Sequence, residues 1–137
     1  NSKKINTFRG GLLIIDYGYL EKEMKNSLQS VRKHKFSNSL KDFGNSDITY
    51  NISFYLLKKI SEKLKLKVAG ITTQKNFLTK LGIMQRAEIL SRNLKFSKKA
   101  NIYSRLNRLI DNKFMGNLFK VMFVTKKNNN FKIGFEN

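Results

Sequence analysis

The chain has no cysteine, no proline and no tryptophan, one histidine, and 9 acidic residues against 28 lysines and arginines. Each shortage closes off a class of chemistry. Without cysteine there is no disulfide framework, no thiolate nucleophile and no sulfur-ligated metal; a reducing compartment is compatible but not required. One imidazole cannot build a histidine metal site, so no metal is expected. His34, between Lys33 and Lys35, reads either as a proton shuttle or as an ordinary solvated loop side chain. No run approaches the roughly 18 apolar residues that a bilayer-spanning helix needs, and no signal pattern precedes Gly10, so no membrane insertion is expected. There is no phosphate-cradling glycine loop, no Ser-His-Asp arrangement and no zinc spacing.

The scarcity of acids leaves a net charge of +19, which raises the question of nucleic acid. Distribution argues against it. Lysine far outnumbers arginine, the positive charges fall in every segment, and runs such as Lys98-Lys99 and Lys126-Lys127 are too short to make a patch. Richness in Asn and Ile alongside Lys is what an A/T-rich genome writes onto any solvated surface.

What the chain does have is Gly10 to Gly18, GGLLIIDYG, and the rest is organised around it. Leu12, Leu13, Ile14 and Ile15 show no polar alternation, so the segment predicts a buried strand with both faces covered, as in a parallel sheet between helices. At 137 residues the length suits one domain. The sequence starts at Asn1 without an initiator Met and reaches a core strand only about ten residues later, which reads as a chain cut from a longer one.

Taken in order, Asn1 to Arg9 carries no pattern beyond Ile5 and Phe8 and is read as a ragged end. Tyr17 to Ser46 mixes charges and turn formers without a period and is expected to be mostly loop, with Ser27 to Val31 a short extended piece and Phe43 to Ser46 a turn. Ser53 is an N-cap for a helix whose Phe54, Leu57, Ile60 and Leu64 recur at helical spacing. Leu66 to Thr72 is a strand. Thr73 caps a short helix that Gly82 stops, Ile83 to Leu94 and Ala100 to Asp111 are further helices, and Leu118 to Thr125 is the last strong strand. The asparagines at 128 to 130 turn the chain into a short tail expected to pair back on that strand. The order is α/β, with three main strands, too few to close a sheet.

Three local constellations carry chemistry. Asp16-Tyr17-Gly18 lies at the carboxyl end of a strand, where open α/β sheets bind ligands; a turn-forming Asp and a packed Tyr explain it equally well. Asp47 to Asn51 offers an acid, a hydroxyl and an amide before a helix, and also reads as a capping cluster. Thr72-Thr73-Gln74 opens a helix and offers either an anion contact or simple capping. Met84, Met115 and Met122 are core filler.

GGLLIIDYGY, SLQSVRKHKF, GNSDITYNISF, KVAGITTQKNFLTKLGIMQRAE and MGNLFKVMFVTKK, in this order, resemble the later half of the MidA family of S-adenosylmethionine-dependent methyltransferases. These are bacterial relatives of a mitochondrial complex I assembly factor that methylates protein arginine. The resemblance runs from Gly10 to about Lys127. It implies a Rossmann-like class I methyltransferase sheet of which this chain is a single partial domain, residues 1–137, incomplete on its N-terminal side. Gly10 to Asp16 would be the fifth strand, with Leu66 to Thr72 and Leu118 to Thr125 the closing antiparallel pair. The glycine-rich loop and the ribose-gripping acid would lie upstream of residue 1.

The resemblance further implies S-adenosylmethionine as cofactor, a protein substrate, and a bacterial cytoplasmic or mitochondrial matrix location. Asp16, Tyr17, His34, Asp47, Thr49 and Gln74 match the family pattern. Asp16 and Asp47 are the catalytic candidates, since carboxylates must hold a guanidinium fork. Tyr17, His34, Thr49 and Gln74 are substrate-binding candidates. The chain departs from the pattern at Tyr50 for Ala, Asn51 for His and Ser53 for Asp, and it lacks the family's loop prolines. Asn51 puts in doubt any acid-base role at that position. Two other readings compete: a basic nucleic-acid-binding module, and a non-catalytic assembly factor with the same fold.

Overall fold

The computed structural model describes residues 4, 5, 7, 10–23, 25, 27–32, 35–37 and 47–136. Its centre is a four-stranded sheet, built from β1 (Gly11–Tyr19), β5 (Ile52–Ser53), β6 (Lys67–Thr73) and β7 (Phe119–Thr125), in the order β5-β1-β7-β6. β7 lies between β1 and β6 and runs antiparallel to both, with Ile14 opposite Met122 and Thr72 opposite Val121. β5 runs parallel to the end of β1 and pairs only with Gly18 and Tyr19. Over Gly11–Tyr17 the second edge of β1 has no partner among the described residues.

β7 is the most completely buried element. Val121, Met122 and Thr125 are fully covered and Val124 nearly so. Such a run of apolar residues is what a strand with two neighbours and two covered faces requires. One face packs on Phe54, Leu66 and Ile5. Around the tail, Phe123 meets Phe131 at 5.2 Å between ring centroids and Phe77 meets Phe135 at 5.1 Å. Gly70 lets Phe135 lie against β6, since a methyl at that position would come within 2.5 Å of the ring.

The helices follow the sequence closely. α1 (Phe54–Lys63) starts at Ser53, whose hydroxyl accepts from the Leu56 amide at 3.2 Å. α2 (Gln74–Lys80) starts at Thr73, whose hydroxyl accepts from the Asn76 amide, and Gly82 follows its end with a positive φ of 79°. α3 (Ile83–Ser91) is shorter than expected, and α4 (Phe96–Ile110) begins four residues earlier than the pattern suggested. Phe96, 87% exposed, gave no apolar signal of a start because it packs on little. A last turn of helix, α5 (Met115–Leu118), leads into β7.

Several expectations are corrected. β1 is not covered on both faces: Leu13, Ile15 and Tyr17 are 42–47% exposed, because the unpaired edge leaves their flank open. The stretch expected to be mostly loop contains the rest of β1 to Tyr19 and two strands, the first of them overlapping the extended piece expected at Ser27 to Val31; with a third strand just after the stretch they make a three-stranded antiparallel sheet. That sheet is β2 (Gln29–Arg32), β3 (Lys35–Ser37) and β4 (Asp47–Thr49) in the order β3-β2-β4, with Val31 opposite both Phe36 and Asp47. Strands of three or four residues are fixed by cross-strand pairing rather than by their own pattern, which is why periodicity missed them. The expected turn at 43 to 46 lies outside the described residues. The N-terminal segment is not featureless, since Lys4, Ile5 and Thr7 are helical and Ile5 is buried in the core. The tail turns where expected, with the Asn129 amide donating to the Lys126 carbonyl, but it packs through Phe131 and Phe135 and forms no ladder with β7.

α1 ends in a reversal made without glycine. The Lys65 amide donates to the Glu62 carbonyl at 2.9 Å and the Leu66 amide to the Ser61 carbonyl at 3.0 Å, the bond pair of a Schellman cap, and Lys65 sits at φ 58°. A side chain in that region crowds its own carbonyl. Replacing Lys65 with Gly should therefore raise the unfolding free energy by about 0.5–1 kcal/mol, the relief of strain exceeding the added backbone entropy. Urea unfolding with an unchanged slope and a higher midpoint would show it; an unchanged or lower midpoint would refute it.

Candidate functional site

A cleft of about 620 Å³ opens beyond the carboxyl end of β1, walled by Gly18, Tyr19 and Glu21 on one side and by Lys113, Asn117 and Lys120 on the other. Thr73, at the end of β6, and Asn51, just before β5, close it. Antiparallel pairing makes this geometry: the end of β1, the start of β7 and the end of β6 all reach the same rim of the sheet. Gly18 keeps that rim tight. A methyl there would lie 2.5 Å from the Ile52 carbonyl oxygen and 2.6 Å from the Phe54 ring.

The charged groups are Glu21, Lys25, Lys113 and Lys120. Glu21 Oε1 accepts from Lys25 Nζ at 2.7 Å and Oε2 accepts from the Leu20 amide at 3.0 Å. The lysine hydrogen bond, followed by bonds from backbone amides, holds the Glu21 carboxyl below its ordinary range. Lys25 is also placed by Tyr19: its amide donates to the buried phenol oxygen at 3.2 Å, and its ammonium lies 5.5 Å from the ring centroid. Lys120 is different in kind. It stands in the central strand, 9% exposed, and among the described residues its ammonium makes one hydrogen bond, to the Asn117 carbonyl. Burial pushes its pKa down from the ordinary 10.5, Glu21 opposes that shift and Lys25 adds to it.

Of the constellations singled out in the sequence, Gly18, Asn51 and Thr73 line this cleft, whereas the assigned site residues Asp16, Tyr17, Thr49 and Gln74 do not. Asp16 lies across the ladder from Lys120, half-buried, and its Oδ1 accepts from the Tyr17 amide at 2.8 Å. Tyr17 is exposed and rests on Phe119 with ring centroids 4.1 Å apart. Asp47 and Thr49 belong to β4, opposite Val31 and Gln29 of the smaller sheet. Gln74 is buried, and its Nε2 donates to the Leu109 carbonyl at 2.9 Å, tying α2 to the end of α4. His34 lies outside the described residues. The Thr73 hydroxyl serves as the α2 cap.

The structure places Asn51, the amide of the constellation before α1 and a departure from the family pattern, at the cleft. Its amide donates to Ser27 Oγ at 2.9 Å, which fixes the chain at the mouth of the cleft. Glu21, Lys25 and Lys113 carried no sequence signal, being charges in irregular segments. Lys120 did carry one: a lysine that interrupts the apolar run LFKVMFVT.

Among the described residues no group of three His, Cys, Asp or Glu side chains is placed to hold a metal ion, and no helix is long and apolar enough to cross a membrane.

The depressed pKa of Lys120 has a signed consequence. Between its lowered folded value and 10.5 the unfolded chain binds more protons, so this residue's contribution to stability becomes more favourable as pH rises through that window. Relative to a Lys120→Met variant, the wild type should therefore gain unfolding free energy as pH climbs from neutral toward 10.5. A pH-independent difference between the two would show that Lys120 titrates as an ordinary surface lysine.

Residues 2–72 match the family model described as a putative S-adenosyl-L-methionine-dependent methyltransferase, more than half of the chain. Among curated proteins, the protein arginine methyltransferase NDUFAF7, mitochondrial, of Xenopus tropicalis is 29% identical over 127 residues, covering 90% of this chain. The Caenorhabditis elegans homolog is 31% identical over 83 residues, covering 61% of this chain and 19% of its own length. This chain spans 28% of the length of the Xenopus protein. Among solved structures, a Burkholderia thailandensis protein bound to S-adenosyl-homocysteine superposes with a TM-score of 0.73 at 21% identity, over 95% of this chain and 33% of that one. A native crystal structure from the same organism gives 0.75 at 21% identity, over 95% and 34%. The fold is thus that of these structures, and the match over residues 2–72 places this chain in the family of S-adenosylmethionine-dependent methyltransferases.

Proposed function

We propose that this chain forms the acceptor side of a protein methyltransferase directed at arginine, and that the glycine-rich, cofactor-gripping strands lie in sequence outside it. The observation that carries the reading is a cleft at the carboxyl end of β1, in a sheet whose β1 edge is unpaired over Gly11–Tyr17. In open α/β sheets that end of a strand is where ligands bind. The β1-β7-β6 order supports a Rossmann-like class I sheet with β1 as fifth strand and β6 and β7 as its closing antiparallel pair. The relatives' names support protein arginine as acceptor. On the family resemblance, a role in complex I assembly and a mitochondrial matrix location apply if the source is eukaryotic, and a bacterial cytoplasmic counterpart if it is not.

S-adenosylmethionine supplies an electrophilic methyl group. The residues present do not supply the cofactor's grip: among those described no glycine-rich turn follows a strand. What they fit is the acceptor. A guanidinium must be oriented, and its positive charge balanced, before a nitrogen lone pair is available. Glu21 is the one carboxylate among the cleft's lining residues. Its pairing with Lys25 is a solvent-exposed i,i+4 contact, a kind that contributes little to stability and is easily exchanged for a forked guanidinium. Asp16, two residues before Gly18 on β1, and Asp47 are the further carboxylates assigned to the acceptor, on the strength of the family pattern.

The test is methyl transfer by the full-length protein that contains this chain, with labelled S-adenosylmethionine and cell extract, read as methylarginine after hydrolysis. Glu21→Gln, and separately the Asp16→Asn/Asp47→Asn pair, should each lower the rate on the order of a hundredfold with the fold retained. Label on residues other than arginine would overturn the acceptor, and unaltered rates in folded variants would overturn the carboxylate assignment.

A further inference from the structure

The cleft is bipolar, and its cationic half has no use in holding an arginine. Glu21 and its partner Lys25 stand on the β1 side, Lys113 and Lys120 on the β7 side. Lys120 is the telling residue. Its stem is covered in a central strand while its ammonium lines the cleft with one carbonyl partner, so two of its three donors go without a protein partner among the described residues. Asp16, directly across the ladder, has no ion pair with it: the described bond of that carboxylate is to the Tyr17 amide. A carboxylate arriving from outside would meet the spare donors of Lys120 and the exposed charge of Lys113 together.

The same cleft continues past Tyr19, Lys25 and Asn51 into a second groove, where Leu28, Tyr50 and Leu56 are 61%, 65% and 49% exposed. Phosphates gain nothing from such a surface. An extended polypeptide does, since it presents charged and apolar side chains in turn.

We propose that Lys120 and Lys113 select a carboxylate of the protein substrate close to the methyl-accepting residue, with an apolar side chain of the same segment in the Leu28-Tyr50-Leu56 groove. The proposal rests on the reading of the cleft as the acceptor side, and it supplies a specificity that reading lacks. The chain's overall positive charge would attract any acidic molecule weakly; the buried lysine makes the attraction local.

The experiment is fluorescence anisotropy with the protein and no cofactor, using labelled short peptides with a Glu-Arg-Leu core and a Gln-Arg-Leu counterpart. The Glu peptide should bind roughly tenfold more tightly. Lys113→Gln/Lys120→Met should erase the preference, and Lys113→Gln alone, at an exposed position, should reduce it even if the double variant folds poorly. Lys95→Gln/Lys98→Gln removes two charges at the far end of α4, about 20 Å away along the helix, and should leave the preference intact. Equal binding of the two peptides, no binding of either, or equal loss in the remote variant overturns the proposal. So does displacement of the Glu peptide by a short single-stranded oligonucleotide at matching concentration, the outcome a nucleic-acid surface would give. A preference that persists in a protein transferring no methyl group would refute the proposed function and leave the cleft's selectivity standing.

Discussion

Everything in the larger sheet depends on β7 being paired along both edges at once. Its ladder to β1 fixes where Gly18 and Tyr19 end, and its ladder to β6 fixes Thr73, so one strand sets the rim of the cleft from both sides. The energetic basis is burial: Val121, Met122, Val124 and Thr125 are covered on both faces, and Thr125 Oγ1 donates to the Gly10 carbonyl at 3.0 Å, holding the start of β1. Lys120 belongs to the same strand. Its place is set by both ladders, opposite Asp16 of β1 and Thr73 of β6.

The rest of the site follows from how β1 ends. Gly18 admits the Ile52 carbonyl and the Phe54 ring, so β5 and the start of α1 close against the strand end. Asn51 then sits at the mouth, anchored through its amide to Ser27. Asn51 stands where the resembling family has histidine, so this position carries no titratable side chain.

Much of the fold was legible because the signals were strong and local. Ser53 and Thr73 each preceded a helical apolar period and each caps the helix expected. LFKVMFVT could scarcely be anything but a buried strand. Of the small sheet only β2 was anticipated, by the extended piece expected at Ser27 to Val31; β3 and β4 were not legible, because the sheet's stability comes from pairing between segments up to about twenty residues apart, with no apolar alternation to announce it. The faces of β1 were misread for the opposite reason. Leu12 to Ile15 carry the pattern of a strand covered on both faces, yet Leu13 and Ile15 are exposed, while the unpaired second edge, with β7 the one partner along their length among the described residues, agrees with a sheet expected to be incomplete on that side. The site was the least legible part. Family pattern pointed to Asp16, Tyr17 and Gln74, which the structure uses against a backbone amide, a Phe ring and a helix end. The cleft instead gathers Glu21, Lys25 and Lys113 from irregular segments and Lys120 from β7, charges that only the fold brings together; Lys120 alone carries a sequence signal, a charge inside an apolar run, and the sequence reading passed over it.

Amide hydrogen exchange along β1 and β7 of the 137-residue chain tests the central claim most directly. The account predicts the slowest exchange at Val121–Thr125, and along Leu12–Tyr17 an alternation between amides protected by β7 and amides exchanging freely at the open edge. Uniformly slow exchange through β1, as a second flanking strand would produce, or fast exchange within β7, would contradict it.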